Sequence, residues 1–158
     1  MILPGQPVEI DAARTSLNRN GADTFPIIIE EDHSMLKDKD SAAIVAVRDL
    51  ARAHDFYGGK LGLERVSGDD NVAQYKTGNT VVVVYKSDHA GTNQANAVVW
   101  GAGDEIDAIV ADLRSKGVAF EHYPETGMDY RDGIHSSGGF KAVWFKDPDG
   151  NILHINSM

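Results

Sequence analysis

Residues 145–155 constrain the fold of this chain most, because their composition is that of a β-hairpin. Pro148 presets φ for the second position of a turn, and Asp147 can hydrogen-bond to its own backbone. Gly150 then ends the turn without steric cost. Apolar residues flank the turn on both sides, as they do in paired strands. The stretch therefore predicts two antiparallel strands near the end of the sequence.

A weaker copy of this hairpin at residues 75–84 indicates an internal repeat. Aligning Gly78-Asn79 with Gly150-Asn151 puts Val82 at the position of His154. Each half then reads as a strand, a helix and three strands, and one half alone cannot bury its sheet. The predicted elements are a strand at 42–47, a helix at 50–61 and strands at 63–66, 72–76 and 80–85, then a strand at 95–100, a helix at 104–117 and strands at 118–122, 141–146 and 151–156.

The charge of the chain argues against two classes of partner. With 24 acidic and 15 basic residues the net charge is −9, which opposes binding to nucleic acid or to an anionic membrane. No stretch has the pattern of a membrane span or of a signal peptide, so we expect a cytoplasmic protein. The absence of cysteine excludes disulfides, thiolate catalysis and thiolate metal ligands.

Residues 1–40 differ from the rest, since they hold three of the five prolines and no sustained helical or alternating pattern. We expect either a floppy extension or an arm that packs on a partner subunit. Residues 41–158 are predicted to form one domain of two modules, at about 41–88 and 95–158. The isoleucine-rich stretch 25–29 would gain burial by crossing to a second copy, which favours a homodimer.

Three features together resemble the vicinal oxygen chelate superfamily: the βαβββ repeat, residues 47–57 ahead of Leu61-Gly62-Leu63, and the closing residues 145–151. That superfamily includes glyoxalases, extradiol dioxygenases, methylmalonyl-CoA epimerases, and bleomycin- and fosfomycin-resistance proteins. The resemblance implies an α+β fold in which two tandem βαβββ modules form a half-open barrel around a shared cleft. It does not identify the reaction, because this fold hosts many.

The resemblance also implies where a divalent metal would be bound in such a cleft. Its ligands come from the first and last strands of each module, and these positions fall at Ala42, Val82, Ala97 and His154. Only His154 carries a donor atom, and one neutral imidazole does not hold a divalent ion tightly. We therefore predict no metal and no other cofactor. A relocated set of Glu121 with His122, His135 and His154 is the alternative.

The candidate site residues lie on strands and on the long stretch 124–139. His154 is either a cleft-facing hydrogen-bonding group or general base, or a histidine with no specific role. The stretch 124–139 is predicted to be a lid, since long loops often cover ligands. Strand alternation places Trp100 under a helix but cannot decide between Trp144 and Phe145. The predicted ligand-binding residues are His154, His135, Arg131, Tyr130, Val99, Ile44, Val82, Phe145 and Trp144.

Two functional classes remain open from these residues. The first is a metal-free protein that binds a small organic ligand between its modules, as drug-resistance members do. The second is an enzyme, either a metal-dependent lyase, isomerase or dioxygenase with relocated ligands, or an acid–base catalyst that uses His154. The aliphatic residues at 42, 82 and 97 favour the first class.

Overall fold

The computed structural model describes residues 39–158, together with Leu36. The isoleucine-rich stretch 25–29 and nearly all of the predicted arm therefore lie outside the described residues. Residues 38–158 form one compact unit, which contains both predicted modules. None of the helices found in this part of the chain is long and apolar enough to cross a membrane.

The secondary structure follows the predicted repeat. The first module contains β1 (Ala43–Val47), α1 (Leu50–His54), a π-helical segment (Asp55–Lys60), β2 (Glu64–Gly68), β3 (Val72–Thr77) and β4 (Thr80–Lys86). The second contains β5 (Asn96–Gly101), a 3-10 turn (Gly103–Glu105), α2 (Ile106–Ser115), a 3-10 turn (Pro124–Thr126), β6 (Asp129–Arg131), β7 (Ile134–Ser137), β8 (Phe140–Lys146) and β9 (Ile152–Asn156).

Each module forms its own sheet, and the two sheets have related strand orders. The first is ordered β1-β4-β3-β2 and the second β5-β9-β8-β7-β6. In each sheet the first strand pairs in parallel with the last, and the remaining pairs are antiparallel. The two first strands, β1 and β5, lie next to each other. This arrangement confirms the predicted α+β fold of two tandem βαβββ-like modules.

One predicted strand is wrong, and a predicted loop replaces it. Residues 118–122 contribute only a single bridge, from Phe120 to Phe145. The first regular partner strand of β8 in the second module is instead β7. It pairs with β8 and carries β6 at its outer edge. The stretch 124–139, predicted to be a lid without structure, therefore holds a hairpin. Its turn is at Asp132 and Gly133, both with positive φ. An Asp-Gly pair is a hairpin signal that the sequence-based prediction did not use.

The first helix is predicted correctly in position but changes its winding. Asp49 caps α1 by accepting a hydrogen bond from the Arg52 N–H at 2.9 Å. The following turn is π-helical, and the Leu61 N–H bonds to the Phe56 carbonyl five residues back. This wider turn buries the neighbouring rings of Phe56 and Tyr57 together. The second helix has no side-chain cap at Glu105.

The core lies on the helix side of both sheets and is continuous between them. Val45, Val84 and Leu153 belong to one cluster with the buried faces of α1 and α2. Because side chains alternate along a strand, the residues between these core positions point to the opposite side of both sheets. We call that side the open face. Ile44 on β1 and Val99 on β5 lie there and are 63% and 58% exposed.

The turn between β8 and β9 fastens the second module to the first. The buried carboxylate of Asp147 accepts a hydrogen bond from the Tyr57 hydroxyl at 2.9 Å. The Asn151 amide donates to the Ala46 carbonyl at 2.8 Å. Asp149, between them, pairs with the Arg52 guanidinium at 2.7 Å. The stretch that identified the hairpin in the sequence is therefore the junction between the modules.

Candidate functional site

Aromatic and imidazole rings form a continuous row across the second sheet on the open face. His154 stacks on Trp144 with ring centroids 4.5 Å apart, and the Trp144 ring meets His135 edge-on at 4.9 Å. Tyr130 lies 4.8 Å from His135 and stacks on His122 at 4.0 Å. We call these five residues the ring row. Two of these contacts are stacked, one is tilted and one is edge-on, and aromatic surface of this kind can pack against a planar molecule.

Strand register explains why these rings come together. Trp144 on β8 pairs with His154 on β9, and His154 pairs with Val99 on β5. On the outer strands, His135 pairs with Tyr130. Side chains of paired residues share a face. The register therefore places Trp144, His154, Val99, His135 and Tyr130 on the open face.

His154 is a neutral hydrogen-bonding group in a mostly buried position. Its Nδ1 lies 3.1 Å from the Val143 carbonyl, which can only accept, so Nδ1 carries the proton. The unprotonated Nε2 then accepts from the Asn156 amide at 3.3 Å. Burial lowers the pKa of His154, with a smaller opposing effect from the Val143 carbonyl. This histidine is therefore held in one tautomer beside the Trp144 ring.

His135 is fully buried and has one nitrogen without a partner. Its Nε2 accepts from the backbone N–H of Tyr123 at 3.0 Å, which leaves the proton on Nδ1. Among the described residues nothing hydrogen-bonds to that Nδ1, or to the buried hydroxyl of Tyr123. Burial lowers the pKa of His135, and the neighbouring His122 lowers it further. Both Tyr123 and His135 lie against Trp144.

The first module contributes an aliphatic half to the open face. Ile44 on β1 pairs with Val83 on β4, and Ala46 pairs with Tyr85. These four side chains alternate with the core residues of the same strands. Because β1 lies beside β5, the exposed Ile44 continues toward Val99 and the ring row. The face thus combines aliphatic and aromatic surface with few hydrogen-bonding groups.

Two predicted ligand-binding residues point the wrong way. Val82 is fully buried in the core, and Val83 occupies the place that matches His154. The alignment failed by one residue because two residues separate the paired Thr77 and Thr80, whereas five separate Lys146 and Ile152. Phe145 is also fully buried in the core, so alternation assigns Trp144 to the open face.

Arg131 does not lie on the open face with its neighbour Tyr130. Its side chain is 92% exposed and pairs only loosely with Asp132, at 3.6 Å. Its register partner is Ile134, which packs against the core cluster, whereas Tyr130 pairs with His135. The alternation along β6 therefore turns Arg131 away from the ring row. The sequence could not show this, because β6 was not predicted as a strand.

Sequence reasoning missed some residues of this face. The sequence indicates His122 only as a member of the relocated metal set and favours core packing for Tyr85. No sequence pattern singles out Tyr123, Asn156 or Val83. Tyr85 carried a usable signal, since it follows the alternating core valines of β4. His122 and Tyr123 carried none, because their segment contributes no regular strand and its alternation cannot be read.

The residues present do not fit the divalent metal of the resembling enzymes. Ala42 and Ala97 offer no donor atom, and the Nε2 of His154 already accepts from Asn156. The relocated set fits no better, because Trp144 contacts both His135 and His154 and lies between them. Glu121, which supplies the carboxylate of the relocated set, is paired with Lys146 at 2.9 Å. Within residues 39–158 no three histidine or acidic side chains are grouped to hold an ion.

A cavity of about 500 Å³ lies on the opposite, helix side of the sheets. Trp100 lines it, as the alternation along β5 predicted, and its Nε1–H donates to the Thr77 hydroxyl at 2.9 Å. Leu61, Ile109 and Phe145 contribute further apolar wall. The hydrogen bond from Trp100 to Thr77 joins β5 to the β3–β4 turn and adds another link between the modules.

Solved structures share this fold at low sequence identity. A glyoxalase/bleomycin resistance protein from Streptomyces sp. CB03234 is 24% identical, with a TM-score of 0.57 over 75% of this chain and 99% of that one. A lactoylglutathione lyase from Agrobacterium tumefaciens is 19% identical, with a TM-score of 0.58 over 75% and 92%. A fosfomycin resistance protein from Listeria monocytogenes, complexed with Mn(II) and sulfate, is 13% identical, with a TM-score of 0.58 over 76% and 90%.

At these identities the structural neighbours establish the fold and not the activity. No curated protein sequence matches the chain. A family model does match, over residues 39–155, which are most of the sequence and nearly all of the described part. The matched range contains both modules, the turn that joins them and the ring row. The chain therefore belongs to the Glyoxalase/Bleomycin resistance protein/Dioxygenase superfamily.

Proposed function

We propose that this protein binds a small planar organic molecule on the open face, by stacking on the ring row. The observation that supports this most directly is the row itself, in which five rings contact one another in sequence on the open face. Exposed Val99 and Ile44 extend it with aliphatic surface. Apolar walls with a few fixed polar groups are the usual composition of a ligand site.

The binding we propose needs no metal. The drug-resistance name of one structural neighbour is compatible with simple capture of a ligand, and the donor set around His154 does not support metal chemistry. No feature of the described residues favours the alternative of a lyase, isomerase or dioxygenase with relocated ligands. Elemental analysis that found one tightly held Zn, Mn, Ni or Fe per chain, lost in His154→Ala, would refute this part of the proposal.

Tryptophan fluorescence can test the ligand site directly. The chain has two tryptophans, and Trp100→Phe removes the one on the helix side, so the remaining signal reports Trp144. We expect planar aromatic compounds to quench Trp144 in a saturable way, with and without EDTA. His122→Ala should weaken binding about 2- to 10-fold, the range expected for one stacked ring. His89→Ala, an exposed histidine in the segment between the modules, should not.

We further propose that the protein is a cytoplasmic homodimer, with residues 1–40 as an arm outside the ligand-binding domain at 41–158. Exposed Ile44 and Val99 support a covered face, since apolar patches of this kind often mark interaction or ligand sites. Sedimentation at micromolar concentration should give a dimer. A monomer whose behaviour does not change when residues 1–34 are deleted would contradict the proposal.

A further inference from the structure

The buried Nδ1–H of His135 makes no well-aligned hydrogen bond among the described residues, although the backbone of Ala142, its strand partner, lies close enough to act on this imidazole. The side chain is fully buried, and its other nitrogen is fixed by the Tyr123 N–H. Leaving such a donor unpaired costs about 1–3 kcal/mol, so buried donors nearly always find a partner. The rings of Tyr130, Trp144 and His122 pack against this imidazole and offer it no oxygen acceptor at the ring faces. A bound molecule can supply the well-aligned acceptor that the described residues do not.

The element that covers His135 is suited to move. Tyr130 lies against the His135 ring and is 39% exposed, and it belongs to β6, the three-residue strand at the sheet edge. All three residues of β6 are exposed, and β6 pairs only with β7. Short edge elements with little burial open at low free-energy cost. Displacing Tyr130 uncovers His135 while the Trp144 side of the row stays in place.

The charges near His135 favour an acceptor without a net charge. Lys146, a nearby cation, is paired with Glu121, and Arg131 points away from the row. The Glu125 carboxylate lies close enough to act on His135 electrostatically. An anionic ligand would face this carboxylate and the overall charge of −9 without a free cation among these groups. A carbonyl oxygen accepts a hydrogen bond without that penalty.

We propose that the ligand is a planar aromatic carbonyl compound, whose oxygen accepts from the His135 Nδ1–H while its ring stacks on Trp144 after Tyr130 moves aside. This inference rests on the proposed ligand-binding function and adds the chemical class of the ligand. It also assigns His135, rather than His154, as the residue that selects the ligand, because both nitrogens of His154 already have partners.

Three probes of similar shape test this proposal on the full-length protein: 2-acetylnaphthalene, 2-ethylnaphthalene and 2-naphthoate. Trp144 fluorescence in the Trp100→Phe background gives the three affinities. We expect 2-acetylnaphthalene to bind about 5-fold more tightly than 2-ethylnaphthalene, as one neutral hydrogen bond of about 1 kcal/mol predicts. We expect 2-naphthoate to bind more weakly than the ketone. In ¹⁵N-histidine spectra the His135 Nδ1–H should shift only with the ketone.

The variant His135→Met separates recognition from structure. A methionine sulfur is a weak acceptor for the Tyr123 N–H and carries no donor, so the Nδ1–H is lost without a replacement. We expect the variant to fold and to bind the ketone and the hydrocarbon equally. Equal affinities in the unmodified protein, or an Nδ1–H that bonds to water and does not change at saturation, would overturn the inference and leave the proposed function intact. If none of the probes quenches Trp144, both proposals fail.

Discussion

Asp147 shows how much of this fold depends on one buried carboxylate. It is 5% exposed and accepts four hydrogen bonds. Oδ2 accepts from the Tyr57 hydroxyl and the Asn151 amide, and Oδ1 accepts from the backbone N–H groups of Asp149 and Asn151. Two of these donors shape the turn itself, and the Tyr57 hydroxyl comes from the other module. Burial, together with the nearby Asp147 carboxylate, raises the pKa of Tyr57, so Tyr57 stays a donor.

Replacing Asp147 with alanine should therefore destabilise the protein by about 3 kcal/mol or more, because several buried donors lose their acceptor at once. Asp147→Asn keeps one acceptor oxygen and should cost less. The free energy of unfolding from urea denaturation gives both values, with Asp88→Ala at an exposed site as the control. Equal effects of Asp147→Ala and Asp88→Ala would show that the turn contributes little.

The two buried histidines predict how stability depends on pH. Burial lowers the pKa of His135 and of His154 below the usual value of 6.5. As the pH falls through 6.5, the unfolded chain binds protons that the folded state does not, so the free energy of unfolding decreases. We expect this loss between pH 7 and 5, above the range in which Asp49 and Asp69 titrate, since their pKa values lie below 3.8.

Urea titrations at several pH values measure this dependence. His154→Phe removes one of the two groups and should flatten the curve between pH 7 and 5, whatever its effect on stability at pH 7. His89→Gln, an exposed control, should leave the slope unchanged. A free energy of unfolding that rises as the pH falls over this window would contradict the assignment of neutral, buried imidazoles.

Two predicted site residues that lie off the open face, Val82 and Arg131, fail for different physical reasons. Ile44 and Val99 lie on the side that strand alternation predicts, because alternation is reliable inside a recognised strand. Val82 failed because the two hairpin loops contain two and five residues, so that matching the turn glycines does not match the strand positions. Arg131 failed because its short edge strand has no apolar alternation.

At the scale of elements, the linker between the modules is closely packed against neighbouring backbone. Gly91 has φ +70°, and a β-carbon there would lie 1.8 Å from the Asp149 carbonyl oxygen. The polar segment 87–94 between the modules therefore packs against the turn that joins them. Ala90 beside it is buried as well. Composition did not reveal this, because the contact is made by backbone atoms.

Gly91→Ala and Gly62→Ala form a matched pair for this contact. Both glycines have φ +70°, but nothing lies within 4 Å of a β-carbon placed at Gly62. Gly62→Ala should cost only the backbone strain of about 1–2 kcal/mol. Gly91→Ala adds a clash with backbone and should cost at least twice as much in denaturation experiments. Equal costs would mean that the linker moves away freely from Asp149.

The helices and strands themselves were largely predictable, with one informative exception. The hydrophobic spacing in α2 and the Asp49 cap of α1 follow local rules, and the structure bears them out. Residues 118–122 have strand-like composition and bond to the end of β8 through the Phe120–Phe145 bridge and the Glu121 N–H, but the regular pairing with the start of β8 is made by β7. Which of two candidate segments pairs with a strand depends on contacts distant in sequence, and no local pattern contains that information.

On the scale of the whole molecule, the two modules share one core and several polar links. Phe56 of the first module lies 6.5 Å from Phe145 of the second, and Trp100 bonds to Thr77 across the junction. Asp149 adds ion pairs to Arg52 and Arg48. These contacts lie on the helix side and at the turns, so each half depends on the other for burial.

We therefore expect residues 39–158 to unfold as one cooperative unit. In native-state hydrogen exchange, the amides of Val84 in β4 and Ile155 in β9 should give the same free energy of opening, equal to that of global unfolding. The amide of Tyr130 in β6 should exchange through a smaller opening. If Val84 exchanged at a much lower free energy than Ile155, the modules would be independent and the shared core would not couple them.

The placement of the junction has a consequence for how such a protein can diverge. The contacts that hold the halves together sit at turns and on the helix side, whereas the ring row and the aliphatic strands occupy the other side of the same sheets. Substitutions that remodel one surface need not disturb the other. The open face of the second module can thus carry imidazole and indole rings while the matching strands of the first module keep valines, and the contacts between the modules need not change.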